Sequence, residues 1–391
     1  MIILERIDKS ILENRVYFRA YLTMDGKQEE LWYSADVEYE PYINMANADA
    51  FVLILFVFAV FNAKKLVVKV PISTRLKYGI NELLLPAFRD MGFNVLAGQF
   101  DFQYEDQSIC LEGTHIGAAM SFGVDSFYTI KMSEQSTLPV DTLTLFNAGA
   151  FGQYGGEEGR RIFEGMKGQV HDFAIRTGKR FLWVDSNISD VLPMKSVQTH
   201  SFRNISCVLA FQRYFRYYYY SAGVTIQSFK LNELDPAYYD LLTADAVRTP
   251  SLEFLIAGMF TSRMEKTALI AEDPHTYLDL NVCFLTPDNI AVNREGSKLK
   301  NCSQCPKCIR TMTSLDVLGK LENYKSVFDL NMYNFSRAKY FGELIYMKFR
   351  NRNIFAKEIL AAANSNGYKI PLSAYTFALR RLVGAIKKRI G

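Results

Sequence analysis

Ser121-Phe122-Gly123-Val124-Asp125-Ser126 follows an apolar run from Gly113 to Met120. An apolar run that ends in a small, hydroxyl-rich turn and then opens a helix is how α/β proteins cradle phosphate. The first helical N–H groups have no intrahelical partner, and the helix dipole favours an anion beside them. Ser121 and Ser126 can donate to phosphate oxygens, and Asp125 can hold a divalent cation such as Mg2+ against them. Gly123 lets the backbone come close or take φ > 0. The same six residues also suit an ordinary strand–turn–helix junction with Asp and Ser as caps.

The second chemical cluster is made of thiols. Cys302, Cys305 and Cys308 form a tight C-x2-C-x2-C knuckle, and Cys283 lies upstream as a fourth ligand. Four thiolates at tetrahedral distance make a structural zinc site. Closely spaced cysteines also hold iron–sulfur clusters, and a reactive thiol pair for sulfur transfer is a third reading. Lys298, Lys300, Lys307 and Arg310 are close in sequence and can offset the charge of a tetrathiolate. Cys110 and Cys207 sit in apolar runs and read as core thiols.

Several segments occur in the order of one known family. The Ser121–Ser126 loop resembles the PP-loop of the N-type ATP pyrophosphatases, which split ATP into AMP and pyrophosphate. Asp141 to Gly149 is similar to the second strand and turn of the 7-cyano-7-deazaguanine synthases within that superfamily. Arg203-Asn204 resembles their Arg-Asn helix start, Val282-Cys283-Phe284 their Ser-Cys-Tyr, and Asn301 to Arg310 their terminal cysteine cluster. Lys266 is similar to a lysine these enzymes carry before the cysteine lobe. The resemblance covers roughly residues 113–320.

It implies ATP bound by Ser121, Phe122, Gly123, Val124, Asp125 and Ser126, with Mg2+ on the phosphates. Adenosine is then expected beside Asn147 and Gly149. Ser121, Asp125, Ser126, Arg203 and Lys266 become the catalytic candidates, with Arg203 starting a helix that faces the phosphates. Cys283, Cys302, Cys305 and Cys308 become ligands of Zn2+. The implied reaction adenylylates a carboxylate for amidation or nitrile formation, on a small acid or modified purine. The chain departs from the family at Phe122, where the loop usually has Gly. An ordinary backbone with the ring in the core is expected there. That departure also keeps open a nucleotide- or partner-binding protein that has lost the reaction. A tRNA-modifying sulfurtransferase of the same fold is the remaining alternative.

These residues need elements to position them. From residue 113 the pattern alternates strand and helix, which argues for an α/β, doubly wound parallel sheet. Strands are expected at 114–120, 141–146, 180–184 and 217–222, and helices at 157–177 and from Asn204. The loop and the Asn147 turn would lie at the carboxyl edge, where such sheets bind ligands. Asp185 ends a strand at that edge, where it can bind ribose or cap a helix. Tyr217 to Tyr220 reads as a buried strand rather than a base-stacking platform. Residues 1–112 read as a small α+β module, with strands at 13–24, 30–36, 66–70 and 93–96. Its helices are expected at 49–62 and 74–91. The expected division is residues 1–112, then 113–325 as the catalytic domain with its cysteine lobe, then 326–391 as a helical extension.

The chain of 391 residues is 49% hydrophobic and 22% charged, which fits a folded globular protein and excludes disorder. Its longest uncharged apolar run, Ala50 to Ala63, is too short to span a bilayer. The start lacks a signal-peptide pattern and the thiols are clustered, so a cytoplasmic location is expected. Residues 378–391 carry Arg380, Arg381, Lys387, Lys388 and Arg389 with no acid, which leaves the rest of the +4 chain at −1. Leu379, Leu382, Val383, Ile386 and Ile390 fall at helical spacing among them. The tail therefore reads as a basic amphipathic helix, either docked on its own domain or offered to a protein or an anionic surface.

Overall fold

In the computed structural model, the alternating apolar segments resolve into a ten-stranded, mostly parallel sheet with helices, an α/β fold. The structure describes residues 1–108, 113–149, 156–283, 300–350 and 353–390, apart from the side chains of Glu158 and residues 387–390. The chain forms two compact units. The first holds residues 1–120 and 132–259, and the second holds 121–131 and 260–391.

The sheet belongs to the first unit. Its strands are β1 (Ile2–Leu12), β2 (Arg15–Met24), β3 (Lys27–Asp36), β4 (Leu66–Ser73), β5 (Phe100–Asp106), β6 (His115–Ala119), β7 (Thr142–Asn147), β8 (Arg180–Ser186), β9 (Phe215–Ser221) and β10 (Glu253–Ala257). Their order is β10-β9-β6-β7-β8-β3-β2-β1-β4-β5. From β6 the chain steps to β7 and β8 on one side, then returns to β9 and β10 on the other. All four pairings in this half are parallel. The end of β6 is therefore a topological switch point, and Met120 leads from it into Ser121.

Residues 1–112 do not stand apart. β3 pairs antiparallel with β8 at Tyr33↔Ser186 and Ser34↔Asp185, so the N-terminal strands extend the same sheet. The pairing covers an edge of β8 that would otherwise carry unpaired backbone groups. β2 and β3 are joined by Asp25-Gly26, both at positive φ (49° and 84°), as a tight hairpin requires. β1, β5 and β10 are additions to the expected elements. Residues 93–96, expected as a strand, are not one. Gly92 (φ 89°) ends the helix before them, and pairing resumes only at Phe100. The helix Asp49–Phe61 is buried from Asp49 to Val60. Phe51 packs on Phe18 (4.6 Å between ring centroids) and Phe56 on Phe100 (5.0 Å). Tyr218 and Tyr219 of β9 are buried, as a core strand requires.

The second unit is helical. Met264, Val317, Phe341, Leu344, Ile359, Ala363 and Ala374 form one core. They come from the helices Arg263–Ala271, Pro306–Val317, Leu330–Phe349, Ile354–Ser365 and Leu372–Ile390. The boundary expected at 325 therefore falls inside a shared core, because Leu330–Phe349 and its successors bury their apolar faces against Met264 and Val317. Among the described residues, no helix is long and apolar enough to cross a membrane.

Asp49 supplies a pH test of the first unit. Its Oδ1 accepts the Ser73 amide N–H at 2.8 Å, yet burial pushes the carboxyl up to about 6. The unfolded value is near 3.9, so the folded chain binds the extra proton between the two values. Stability should fall as pH rises through that window and then level off. Asp49→Asn should gain on the order of 2 kcal/mol at pH 8 and almost nothing at pH 4. Urea melts at the two pH values measure this, and an equal effect at both would refute it.

Candidate functional site

The loop is shaped at Phe122. Its φ is +59°, the left-handed region, and its side chain is 1% exposed. The ring does enter the core as expected, but the backbone is not ordinary. A non-glycine residue there costs roughly 1–2 kcal/mol. Truncating a buried Phe costs about 3–5 kcal/mol, so ring burial outweighs the strain. The Phe122 carbonyl also accepts the Asn281 amide N–H at 2.8 Å. The positive φ falls on Phe122 and not on Gly123. A Cβ at Gly123 would meet only Ser121 Oγ, at 3.4 Å, so neither turn geometry nor neighbours demand glycine. Its bare backbone does leave room for a ligand to come close. The helix Val124–Glu134 follows. Ser126 Oγ donates to the Gly123 carbonyl (3.0 Å) and Ser121 Oγ to Ser126 Oγ (3.3 Å), so both hydroxyls are gathered at the first turn.

Asp125 in that turn is ion-paired with Arg263 (Nη2, 2.7 Å) and Lys266 (Nζ, 3.2 Å). Both cations are placed by the helix Arg263–Ala271, which starts in a capping box. Ser262 Oγ accepts the Glu265 N–H, and Glu265 accepts the Ser262 N–H at 2.7 Å. Lys266 is 3% exposed, and burial pulls its ammonium below the ordinary value while Asp125 opposes the shift. Arg310 lies over the Phe355 ring at 4.1 Å. Burial, then the Arg263 charge, brings Arg310 down to about 10. Lys307 reaches solvent, but desolvation by the surrounding chain and the Arg310 and Arg263 cations lower it as well. Among the described residues, Asp125 acts on Lys266, Lys307 and Arg310 and is paired with Arg263, and Glu358 acts on Lys266 and Arg310. The cluster carries an excess of positive charge at the start of a helix, which is the electrostatic requirement for a polyanion. Arg263 was not singled out in the sequence; the Ser262-x2-Glu265 cap was the signal that a helix begins beside it.

In the same unit Cys283, Cys302, Cys305 and Cys308 bring their sulfurs within 4.8 Å of one another. The Cys302–Cys308 and Cys305–Cys308 separations are 3.8 and 3.4 Å. Zn–S bonds of about 2.3 Å in a tetrahedron put sulfurs about 3.8 Å apart, so the set fits one metal ion such as zinc. The knuckle folds through Ser303 (φ 59°), and the amides of Cys305 and Cys308 point at Cys302 Sγ (3.3 Å) and Cys305 Sγ (3.5 Å). A hydrogen bond with Cys305 pushes Cys283 up to about 12, and one with Cys283 drives Cys308 higher still.

Asn301, 3% exposed, organises this lobe. Its Oδ1 accepts the amides of Val282 (2.8 Å) and Cys283 (3.2 Å), and its Nδ2 donates to the carbonyls of Leu280 (2.8 Å) and Val327 (3.1 Å). The segment 280–283 therefore carries a thiol ligand at one end and the bond to the Phe122 carbonyl near the other. Lys300 is paired with Asp279 at 2.7 Å. Lys298, Phe284 and Cys110 lie outside the described residues.

The remaining candidates lie in the first unit and are held by their neighbours. Asn147 is buried, and its Nδ2 donates to Asp185 Oδ1 at 2.7 Å. Arg15 pairs with the other oxygen of Asp185 at 3.1 Å, so Asp185 joins β2, β7 and β8 instead of capping the next helix. Arg203 does not start a helix. The helix is Ser196–Ala210, and Arg203 lies in its middle, 1% exposed. Its guanidinium donates to Thr199 Oγ1 (2.9 Å), Ser189 Oγ (2.7 Å) and the carbonyls of Ala148 (3.2 Å) and Met194 (2.8 Å). Burial lowers it to about 10. Gly149 (φ +88°) is needed beside it, since a Cβ there would sit 2.4 Å from Arg203 Nη1. Arg203 thus clamps the turn after β7. Cys207 is buried, as a core thiol should be.

Comparison with known proteins matches no family model, no curated protein and no solved structure.

The balance at Phe122 is testable. Phe122→Gly removes the left-handed strain but also the buried ring. The variant should lose about 2 kcal/mol, because the second effect exceeds the first. A denaturant melt that showed Phe122→Gly to be the more stable protein would reverse the assignment of what holds the loop.

Proposed function

We propose that the chain is an ATP-dependent ligase of the PP-loop kind, similar to the 7-cyano-7-deazaguanine synthases. The observation that carries this reading is the loop itself: two serine hydroxyls and a helix N-terminus, walled by Lys266, Arg263, Lys307 and Arg310, with the cysteine lobe bonded to its second residue. A carboxylate oxygen of the acceptor attacks the α-phosphorus of ATP. The bond to the bridging oxygen breaks, and pyrophosphate leaves with the electron pair. An amine or ammonia then attacks the acyl carbon, and AMP leaves in place of oxide. Lys266 and Arg263 would offset the charge that develops on the departing pyrophosphate. Bound Mg2+ would neutralise phosphate charge, with Asp125 as the residue to hold it.

The ion pairs at Asp125 favour one second reading, a protein that binds nucleotide without splitting it. Each oxygen of that carboxylate is already paired with Arg263 or Lys266, so a metal cation competes with them there. The assay that separates the two is release of AMP and pyrophosphate from ATP and Mg2+ with small acids, including a 7-deazapurine acid, and ammonia. Lys266→Met should reduce that release about 100- to 1,000-fold, the usual effect of losing one charge-stabilising donor. Arg263 still compensates Asp125 in the variant, so the fold should persist. Nucleotide binding without pyrophosphate release would establish the second reading, and undiminished turnover in Lys266→Met would remove the lysine from the mechanism.

We assign the four-cysteine set to Zn2+ in the same reading. About one zinc per chain should co-purify, since a closed four-thiolate set holds one ion. Cys305→Ser should lose it and raise hydrogen exchange across residues 300–317 while β6 to β9 stay protected. Iron in the fresh protein, or an exposed thiol pair that cycles between oxidised and reduced forms, would favour cluster or sulfur-transfer chemistry.

A further inference from the structure

The terminal helix Leu372–Ile390 docks by the wrong face for an ordinary amphipathic helix. Its contacts with Leu330–Phe349 are made by two alanines and the half-buried Phe377. Ala374 and Ala378 are buried, and Gly342 meets Phe377 Cβ and the Ala374 carbonyl so closely that a Cβ there would lie 2.6 and 2.8 Å from them. Arg381 adds an ion pair to Glu343 at 2.7 Å on this side. Phe377 and Leu382 are half-buried, and five other large apolar residues are left outside. Leu372, Tyr375, Leu379, Val383 and Ile386 are each between 44% and 86% exposed. Their spacing of three or four residues puts them on one stripe, about 20 Å long at 1.5 Å per residue.

Charge selects what covers this stripe. From Asn366 to the end the chain has Lys369, Arg380, Arg381, Lys387, Lys388 and Arg389 and no acid. A second copy of the helix would repel it. A nucleic acid would satisfy the cations and leave the apolar row in water. A lipid surface with anionic headgroups satisfies both, since such helices lie in the interface with the apolar row among the acyl chains and the cations among the headgroups. We propose that residues 372–390 bind the surface of an anionic phospholipid membrane, lying on it and not crossing it. The helix is docked on its own domain, as one of the two expectations had it, and the stripe is what that docking leaves exposed.

The full-length protein is sedimented with vesicles of phosphatidylcholine alone and with vesicles that also contain phosphatidylserine. Binding should need the anionic lipid and weaken as salt rises. Leu379→Asp with Val383→Asp should lower the partition coefficient about a hundredfold or more, since each loses a buried aliphatic group. Both residues are exposed, so the melting temperature should not move. Arg380→Glu with Lys387→Glu should abolish the preference for phosphatidylserine. Equal binding to both vesicle types, no binding to either, or binding untouched by the aspartates would overturn the proposal. So would concentration-dependent dimerisation through the stripe in the absence of lipid.

Discussion

The hydrogen bond from the Asn281 amide to the Phe122 carbonyl is the constraint on which the second unit turns. A bulky residue at φ +59° stays there only if its surroundings over-determine it. The buried ring fixes the side chain, and Asn281 fixes the peptide that follows. Asn281 is in turn held by its neighbours in sequence. Asn301 satisfies backbone groups at Leu280, Val282 and Cys283 and reaches Val327 as well, so the segment cannot shift without exposing several buried polar groups. The same four residues end in a thiol of the metal-compatible cluster. Geometry at the cysteines is thus mechanically continuous with geometry at the loop.

The charges around the loop obey the same logic of mutual support. Lys266 is almost fully buried, and an isolated ammonium there would be costly. Asp125 compensates it while Arg263 shares the carboxylate, so the pair is a held cation that keeps part of its charge for something else. Arg310 and Lys307 bring further positive charge, and Asp125 acts on both. Desolvation lowers Lys266, Lys307 and Arg310, and an incoming polyanion would raise them again. Such a site is least stable when empty, as a site built for a charged ligand should be.

The sequence made some of this visible and hid the rest, for reasons that lie in individual residues. Period and spacing exposed β6 to β9, the loop and the knuckle, because each is a local pattern. The buried helix Asp49–Phe61 was legible for the same reason: an apolar run without charges has nowhere else to go. β1 was not legible, since its partly exposed Glu5, Arg6, Asp8 and Lys9 mask the alternation until β2 and β4 pair with it. The strand expected at 93–96 fails because β-forming residues need a partner, and Gly92 releases the chain too early for one. Arg203 looked like the start of a helix because Arg203-Asn204 resembles the Arg-Asn helix start of the synthases. The helix Ser196–Ala210 runs through both residues. The bonds of Arg203 to the Ala148 carbonyl and Ser189 join segments 55 and 14 residues away, so no local pattern could distinguish a clamp from a catalyst.

The division into units carries a further consequence. Sequence order attaches the loop to the sheet, since Ser121 directly follows β6. Contacts attach it instead to the helical unit, with Lys266, the cysteines and the C-terminal helices. The core of that unit runs from Met264 through Val317 to Phe341, Ile359 and Ala374. The extension after 325 therefore belongs to the body that carries the loop and its cations. Its last helix packs Ala374, Phe377 and Ala378 around Gly342 and leaves Leu379, Val383 and Ile386 outside. A helix selected only to complete this core would have turned Leu379, Val383 and Ile386 inward. That they face outward, in a segment without one acidic residue, means the outer face is under a requirement of its own.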